Sequence, residues 1–114
     1  MTAKTISSRK SKGRNFQKIV MEKIKKALNL SDNDIRTVPS SVQGVDIWLS
    51  EETAKIFPFA VECKRAEKLD LWGAIEQSET NANNLNPCVV FKRNRGKIYI
   101  TLEFDKFLEL INGT

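Results

Sequence analysis

Between Gly44 and Arg65 the sequence GVDIWLSEETAKIFPFAVECKR holds two short runs in which apolar and polar side chains alternate, joined by a polar loop. Alternation at period two is the mark of a half-buried strand. It sets Val45, Ile47 and Leu49 against Asp46, Trp48 and Ser50 in the first run. In the second it sets Phe57, Phe59, Val61 and Cys63 against Pro58, Ala60, Glu62 and Lys64. Side chains two apart on a strand share a face at roughly 6.5 Å spacing, so Glu62 and Lys64 project together. Pairing the two runs as a hairpin brings Asp46 onto that face. Two carboxylates and an ammonium converging on a sheet suit a divalent metal with a positioned water. A cross-strand salt bridge of Lys64 with Asp46 or Glu62 is the competing explanation.

The rest of the chain narrows the chemistry. With 114 residues, 40% of them hydrophobic, it has material for one domain and one core. There is no histidine, so zinc hydrolases, Ser-His-Asp triads and Cys-His proteases drop out in their usual forms. Carboxylates, lysine and a hard metal remain. Cys63 and Cys88 lie in apolar strand-like runs and read as small reduced core residues. The net charge of +5 and pI near 9.4 point toward an anionic partner. The charge is also clustered. Lys4, Arg9, Lys10, Lys12, Arg14 and Lys18 precede the first acidic residue, Glu22, and Lys92, Arg93, Arg95 and Lys97 form a second group. No apolar run is long enough to span a bilayer and no secretory signal opens the chain, so no membrane is expected as a partner and a cytoplasmic setting is the default.

In order along the chain, residues 1–12 read as a flexible basic arm and residues 13–114 as a single domain. After Gly13 a helical pattern places Phe16, Ile19, Val20, Ile24, Ala27 and Leu28 on one face, with Met21 at its edge and Gln17 inside it. Glu22 points nearly opposite. Ser31–Asp34 ends this helix, and Ile35–Val38 is a short strand stopped by Pro39. A second helix is expected from Glu67 to about Leu85, with Leu71, Trp72, Ile75, Ala82 and Leu85 as its apolar stripe and Gln77, Asn81 and Asn84 on one flank. Cys88–Lys92 reads as a buried strand, Asn94-Arg95-Gly96 as a hairpin turn, and Lys97–Phe104 as its partner strand. A final helix starts near Asp105. The pattern is an α/β fold, a small mixed central sheet flanked by helices, in αβββαββα order.

Asp46 followed by Glu62-Cys63-Lys64 resembles the core of the PD-(D/E)XK nuclease superfamily, whose fold is restriction-endonuclease-like. SRKSKGRNFQ, TVPSSVQGVDIWL and CVVFKRNRGKIYITL resemble segments of archaeal-type Holliday junction resolvases. With FPFAVECK and a helix rich in Gln and Asn, the whole is similar to small phage nucleases related to them, over about residues 9–111. The resemblance implies Asp46, Glu62 and the carbonyl of Cys63 as ligands of Mg²⁺ or Mn²⁺, and Lys64 as the residue that orients the attacking water. It implies DNA as partner, a homodimer, and, for a phage-encoded chain, the host cytoplasm. Arg9, Lys10, Lys12, Arg14, Ser40 or Ser41, Lys92, Arg93 and Arg95 would meet the DNA. Two positions depart from the pattern: Val45 stands where a proline is often found, and Gln17 where resolvases usually carry a glutamate. Gln17 would supply an uncharged oxygen; Glu22 is the nearest acidic substitute. Gln77 resembles an extra glutamine that some members use near the metal.

A metal-dependent DNA endonuclease, with branched DNA such as Holliday junctions among its candidate substrates, is the leading expectation. A non-catalytic DNA-binding protein on the same scaffold is the alternative, favoured by Gln17. A small interaction module with merely solubilising charge is the third.

Overall fold

A computed structural model describes residues 2–113, with side chains from Lys10 onward. The elements are α1 (Thr2–Ala27), β1 (Ile35–Thr37), β2 (Ile47–Leu49), α2 (Glu51–Ile56), β3 (Phe59–Arg65), α3 (Leu71–Asn81), β4 (Asn86–Lys92), β5 (Tyr99–Ile100) and α4 (Phe104–Ile111). This is the expected small mixed sheet flanked by helices, compatible with a restriction-endonuclease-like fold. Strands β3 and β4 pair in parallel with Glu62 opposite Val89 and Lys64 opposite Phe91. Strand β5 then adds antiparallel to β4, and β1 and β2 form a separate antiparallel pair. The two sheets meet where the Asp46 N–H donates to the Val61 carbonyl, 3.1 Å away.

The expected hairpin between the two alternating runs does not form. Ser50-Glu51-Glu52-Thr53 builds the short helix α2 instead. The Ser50 hydroxyl accepts from the Thr53 N–H at 3.2 Å, Glu51 and Glu52 occupy the positive first turn, and Lys55 sits in the last. Strand β2 therefore turns back on β1, while β3 starts the second sheet, with β4 as its parallel neighbour and β4 in the central place. The observed order is αββαβαββα.

Helix α1 begins at Thr2 rather than after Gly13, so the stretch expected as an arm continues the helix. Its end is set by a Schellman motif. Asn29 adopts φ 56°, the Leu30 N–H donates to Lys25 O at 2.9 Å, and the Asn29 N–H donates to Lys26 O at 3.3 Å. Leu30 then packs on the core. The core joins Phe16 and Val20 of α1 to Ile35, Ile47, Phe59, Val61, Cys88 and Val90 from four strands. Ile19, placed on the apolar face by periodicity, is exposed. Among the described residues the helix fully buries only a narrow stripe, Phe16 and Val20.

Helix α3 is shorter than its periodicity. Asp70 caps it by accepting from the Gly73 N–H at 3.0 Å, and a Cβ on Gly73 would collide with that carboxylate. The helix buries small residues, Ala74 and Ser78, against the sheet. Trp72, expected in the apolar stripe, points to solvent and is 77% exposed. The partner strand expected over 97–104 narrows to Tyr99–Ile100, because only Val90 and Phe91 have partners there. Among the described residues no helix is long and apolar enough to cross a membrane.

Candidate active site

Alternation along β3 divides its side chains between two helices. Phe59 and Val61 enter the core beneath α1; Ala60, Glu62 and Lys64 take the other face, toward α3. The small residues of α3 let its backbone approach the sheet closely enough for a short side chain to reach across. Asn81 donates its amide to Glu62 Oε1 at 2.9 Å and to the Gly44 carbonyl at 3.3 Å. One side chain thereby ties α3 to β3 and to the loop that carries Asp46. Gly44 has φ 120°, a conformation L residues rarely adopt.

Asp46 is the last residue before β2. Ile47 beside it is buried in the core, so the Asp46 carboxylate is turned the other way, onto the edge of β3. There it accepts from the Cys63 N–H at 2.7 Å. Val61 and Cys63 direct their main-chain groups to the same side of the strand, since residues two apart repeat their orientation. The Val61 carbonyl meets Asp46; the Cys63 carbonyl therefore points to the same edge, beside the Asp46 carboxylate. The Cys63 thiol is pushed far above its ordinary range, chiefly by burial and then by Asp46, and Cys88 is pushed up to about 12 by burial. Both stay protonated and inert as nucleophiles.

Glu62 is 1% exposed, and Asp46 is half-buried. Burial raises the pKa of both carboxyls. The neighbouring Asp46 carboxylate raises Glu62 further. Lys64 lowers both, yet it bonds to neither. The ion pairs among the described residues are Lys25–Asp32 and Lys106–Glu109. The cross-strand salt bridge that competed for these residues is absent. The buried Glu62 and the half-buried Asp46 beside it, each with one hydrogen-bond donor and no paired cation, bear a desolvation cost, and oxygen donors of this kind fit a hard divalent cation. No group of three or more His, Cys, Asp and Glu side chains converges among the described residues. The acidic side chains that meet here are the two carboxylates of Asp46 and Glu62.

The remaining expected residues scatter around this centre. Gln17 is half-buried next to core residue Phe16 and makes no hydrogen bond among the described residues. Glu22 is exposed in an outer groove with Lys18, Lys23 and Lys26, facing away as the helical wheel requires. Gln77 is exposed on α3, and Ser40 and Ser41 are exposed in the β1–β2 loop. Lys10 and Arg14 are exposed on α1, and Lys12 lines a cleft with Arg65, Lys68 and Asn94. Lys92 and Arg93 line a neighbouring cleft, and Arg95 sits at the hairpin tip with φ 61°. The side chain of Arg9 lies outside the described residues.

Asn81 is the site residue that periodicity left on a solvated flank. Its signal was the row of small residues at helical spacing, Ala74, Ser78 and Ala82, which marks the face that can approach a sheet. Bulky residues, Trp72 among them, drew the apparent stripe elsewhere.

Neither a curated protein nor a solved structure matches the chain. The family model described as "Phage putative PDDEXK endonuclease" matches residues 8–114. It spans Asp46, the Glu62-Cys63-Lys64 run and both elements that hold them, and the chain belongs to that family of phage PDDEXK endonucleases.

Proposed function

We propose that the protein is a metal-dependent DNA endonuclease whose centre is Asp46, Glu62 and Lys64. The observation that carries this reading is the buried Glu62 carboxylate beside the half-buried Asp46, both with raised pKa and neither with an ion-pair partner among the described residues. Asp46, Glu62 and the Cys63 carbonyl would hold Mg²⁺ or Mn²⁺. Bound there, such an ion neutralises phosphate oxygens and makes a water more acidic. Lys64 lies two residues from Glu62 on the same face, about 6.5 Å along the strand. Its uncommitted ammonium is free to orient the attacking water and to offset charge developing on the phosphate. Cys63 N–H and Asn81 fix the rotamers of the two carboxylates. Gln17, with a neutral amide in place of a carboxylate, completes the first-helix side, and Gln77 stands at the rim of α3.

Lys12, Arg14, Lys92, Arg93 and Arg95 supply the backbone clamp, with Lys10, Arg9, Ser40 and Ser41 extending it. Branched DNA such as a four-way junction is the proposed substrate, cut by a homodimer that sets two centres on opposed strands. The dimer is supported by α4, which leaves Phe104, Phe107, Leu108, Leu110 and Ile111 exposed.

Cleavage of four-way junction, flap and linear duplex DNA in Mg²⁺, Mn²⁺ and chelator, run beside a solution-mass measurement, tests the reading. Cutting that needs the metal and favours junctions is expected, with a mass of two chains. Binding without cutting in either metal would select the non-catalytic alternative. Asn81→Ala removes the donor to Glu62 and is expected to cost roughly 10–100-fold in cleavage at low metal, the usual scale for an outer partner of a metal ligand. Raising the metal concentration should recover part of the loss. No response to metal concentration would mean that Asn81 acts only on the fold.

A further inference from the structure

Beyond Lys64 the sheet continues into a feature that hydrolysis of a phosphodiester does not require. Lys64 registers with Phe91 on β4, and Phe91 with Tyr99 on β5. Partners in register share a face, so the row Lys64, Phe91, Tyr99 runs from the site to the sheet edge. The two rings lie 6.1 Å apart at centroid with 33° between their planes. They already touch, which leaves no gap between them for a third ring. Phe91 is half-buried and backs Tyr99, a residue 59% exposed. This pair borders a cleft of about 370 Å³ with Leu69 as an apolar wall and Lys92, Arg93 and Lys97 around it.

The cleft is also braced. Asn94 at the hairpin tip donates its N–H to the Glu67 carboxylate and accepts from Arg65 Nε at 3.3 Å. Glu67, the one acidic residue among the described residues that line the cleft, is thus turned to holding the tip in place. A flat apolar surface ringed by three cations and held rigid suits an aromatic ring that carries an anion. A base within duplex DNA has both faces stacked on neighbours. Only a base that has left the stack can lay a face on Tyr99.

We infer that the Phe91–Tyr99 cleft seats one unstacked nucleobase, with Lys92, Arg93 and Lys97 on its phosphates, so that the protein selects DNA carrying an unpaired nucleotide beside the centre at Lys64. This rests on the nuclease reading for its substrate class. The test is therefore a binding measurement in chelator, where no cutting occurs. Two duplexes of the same sequence are compared, one fully paired and one with a single unpaired 2-aminopurine.

The expected result is tighter binding of the unpaired duplex, with quenching of the 2-aminopurine fluorescence as it stacks. Tyr99→Ala should abolish the quenching and lower the preference ratio about tenfold, the scale of one lost base–aromatic stack. Tyr99→Phe, which keeps the ring, should retain both and so separate stacking from misfolding. Equal affinity of the unaltered protein for the two duplexes, or an undiminished preference in Tyr99→Ala, would overturn the inference and leave the nuclease reading standing. Preference and quenching without cleavage when metal is restored would uphold the inference and overturn the nuclease reading. Absence of any DNA affinity would remove both.

Discussion

Glu62→Gln is expected to abolish cleavage and, in the absence of metal at neutral pH, to make the protein more stable. Glu62 is almost fully buried, and burial is the largest cause of its raised pKa. Its charge faces the Asp46 carboxylate, and no cation pairs with it among the described residues. Gln retains the oxygen that accepts from Asn81 and keeps nearly the same volume. It removes only the charge, hence only the desolvation and repulsion. The gain should reach about 1 kcal/mol, as is common where function holds a strained site in place. That corresponds to a rise in Tm of about 4 °C. Asp46→Asn should act in the same direction, since Asn Oδ1 still accepts from the Cys63 N–H. Cleavage should fall by more than about 100-fold in either variant, because loss of a mere outer-shell partner already costs 10–100-fold. Thermal melts in chelator and cleavage in Mg²⁺ measure the two effects on the same preparations. A structural salt bridge predicts the opposite sign: breaking it would lower Tm. Undiminished cutting by both variants would sink the assignment of the centre.

The opposed signs explain why this centre was only partly legible in the sequence. The face of β3 was readable, because period-two alternation assigns Glu62 and Lys64 to one side whatever the strand pairs with. Asp46 was readable as their companion, but for the wrong reason. The pattern implied a β2–β3 hairpin, whereas Ser50 caps a helix there and Asp46 reaches β3 through a single main-chain contact and its own carboxylate. The S-E-E-T cap was visible in the sequence, and the polar content of the stretch made it read as loop. Alternation does not name a strand's neighbours, so the parallel pairing of β3 with the central strand β4 was not readable. The exposure of Trp72 and the inward reach of Asn81 have one cause. A helix lying on a sheet of bulky strand residues approaches through its small side chains, and hydrophobicity alone ranks those low. The short helix α4 was legible as a final helix from near Asp105, but five of its apolar residues stay exposed among the described residues, and no pattern in one sequence names a partner.

The second large effect expected is on the metal itself, read through stability. In the metal-free protein the folded-state pKa values of Asp46 and Glu62 lie above those of the unfolded chain, near 3.9 and 4.3. Between the unfolded and folded values the native state binds more protons than the unfolded state. Stability therefore falls as pH rises through that window and stays low above it. A divalent cation competes with those protons, so it should stabilise little in acid and most above the raised pKa values. At about 100 times its dissociation constant it should add about 2.7 kcal/mol, which is larger than the gain from removing either charge. Melts of the unaltered protein in Mg²⁺ and in chelator across the carboxylate range up to neutral pH should thus diverge as pH rises. Glu62→Gln should show almost no divergence, since its residual carboxylate is single. A gap between the two melting curves that ignores pH, or that survives Glu62→Gln intact, would place the cation elsewhere on the protein. Ca²⁺ sharpens the comparison, because it takes the same oxygen donors at longer distances and in looser geometry. It should widen the melting gap much as Mg²⁺ does, while supporting little or no cutting, which separates occupancy of the site from its chemistry.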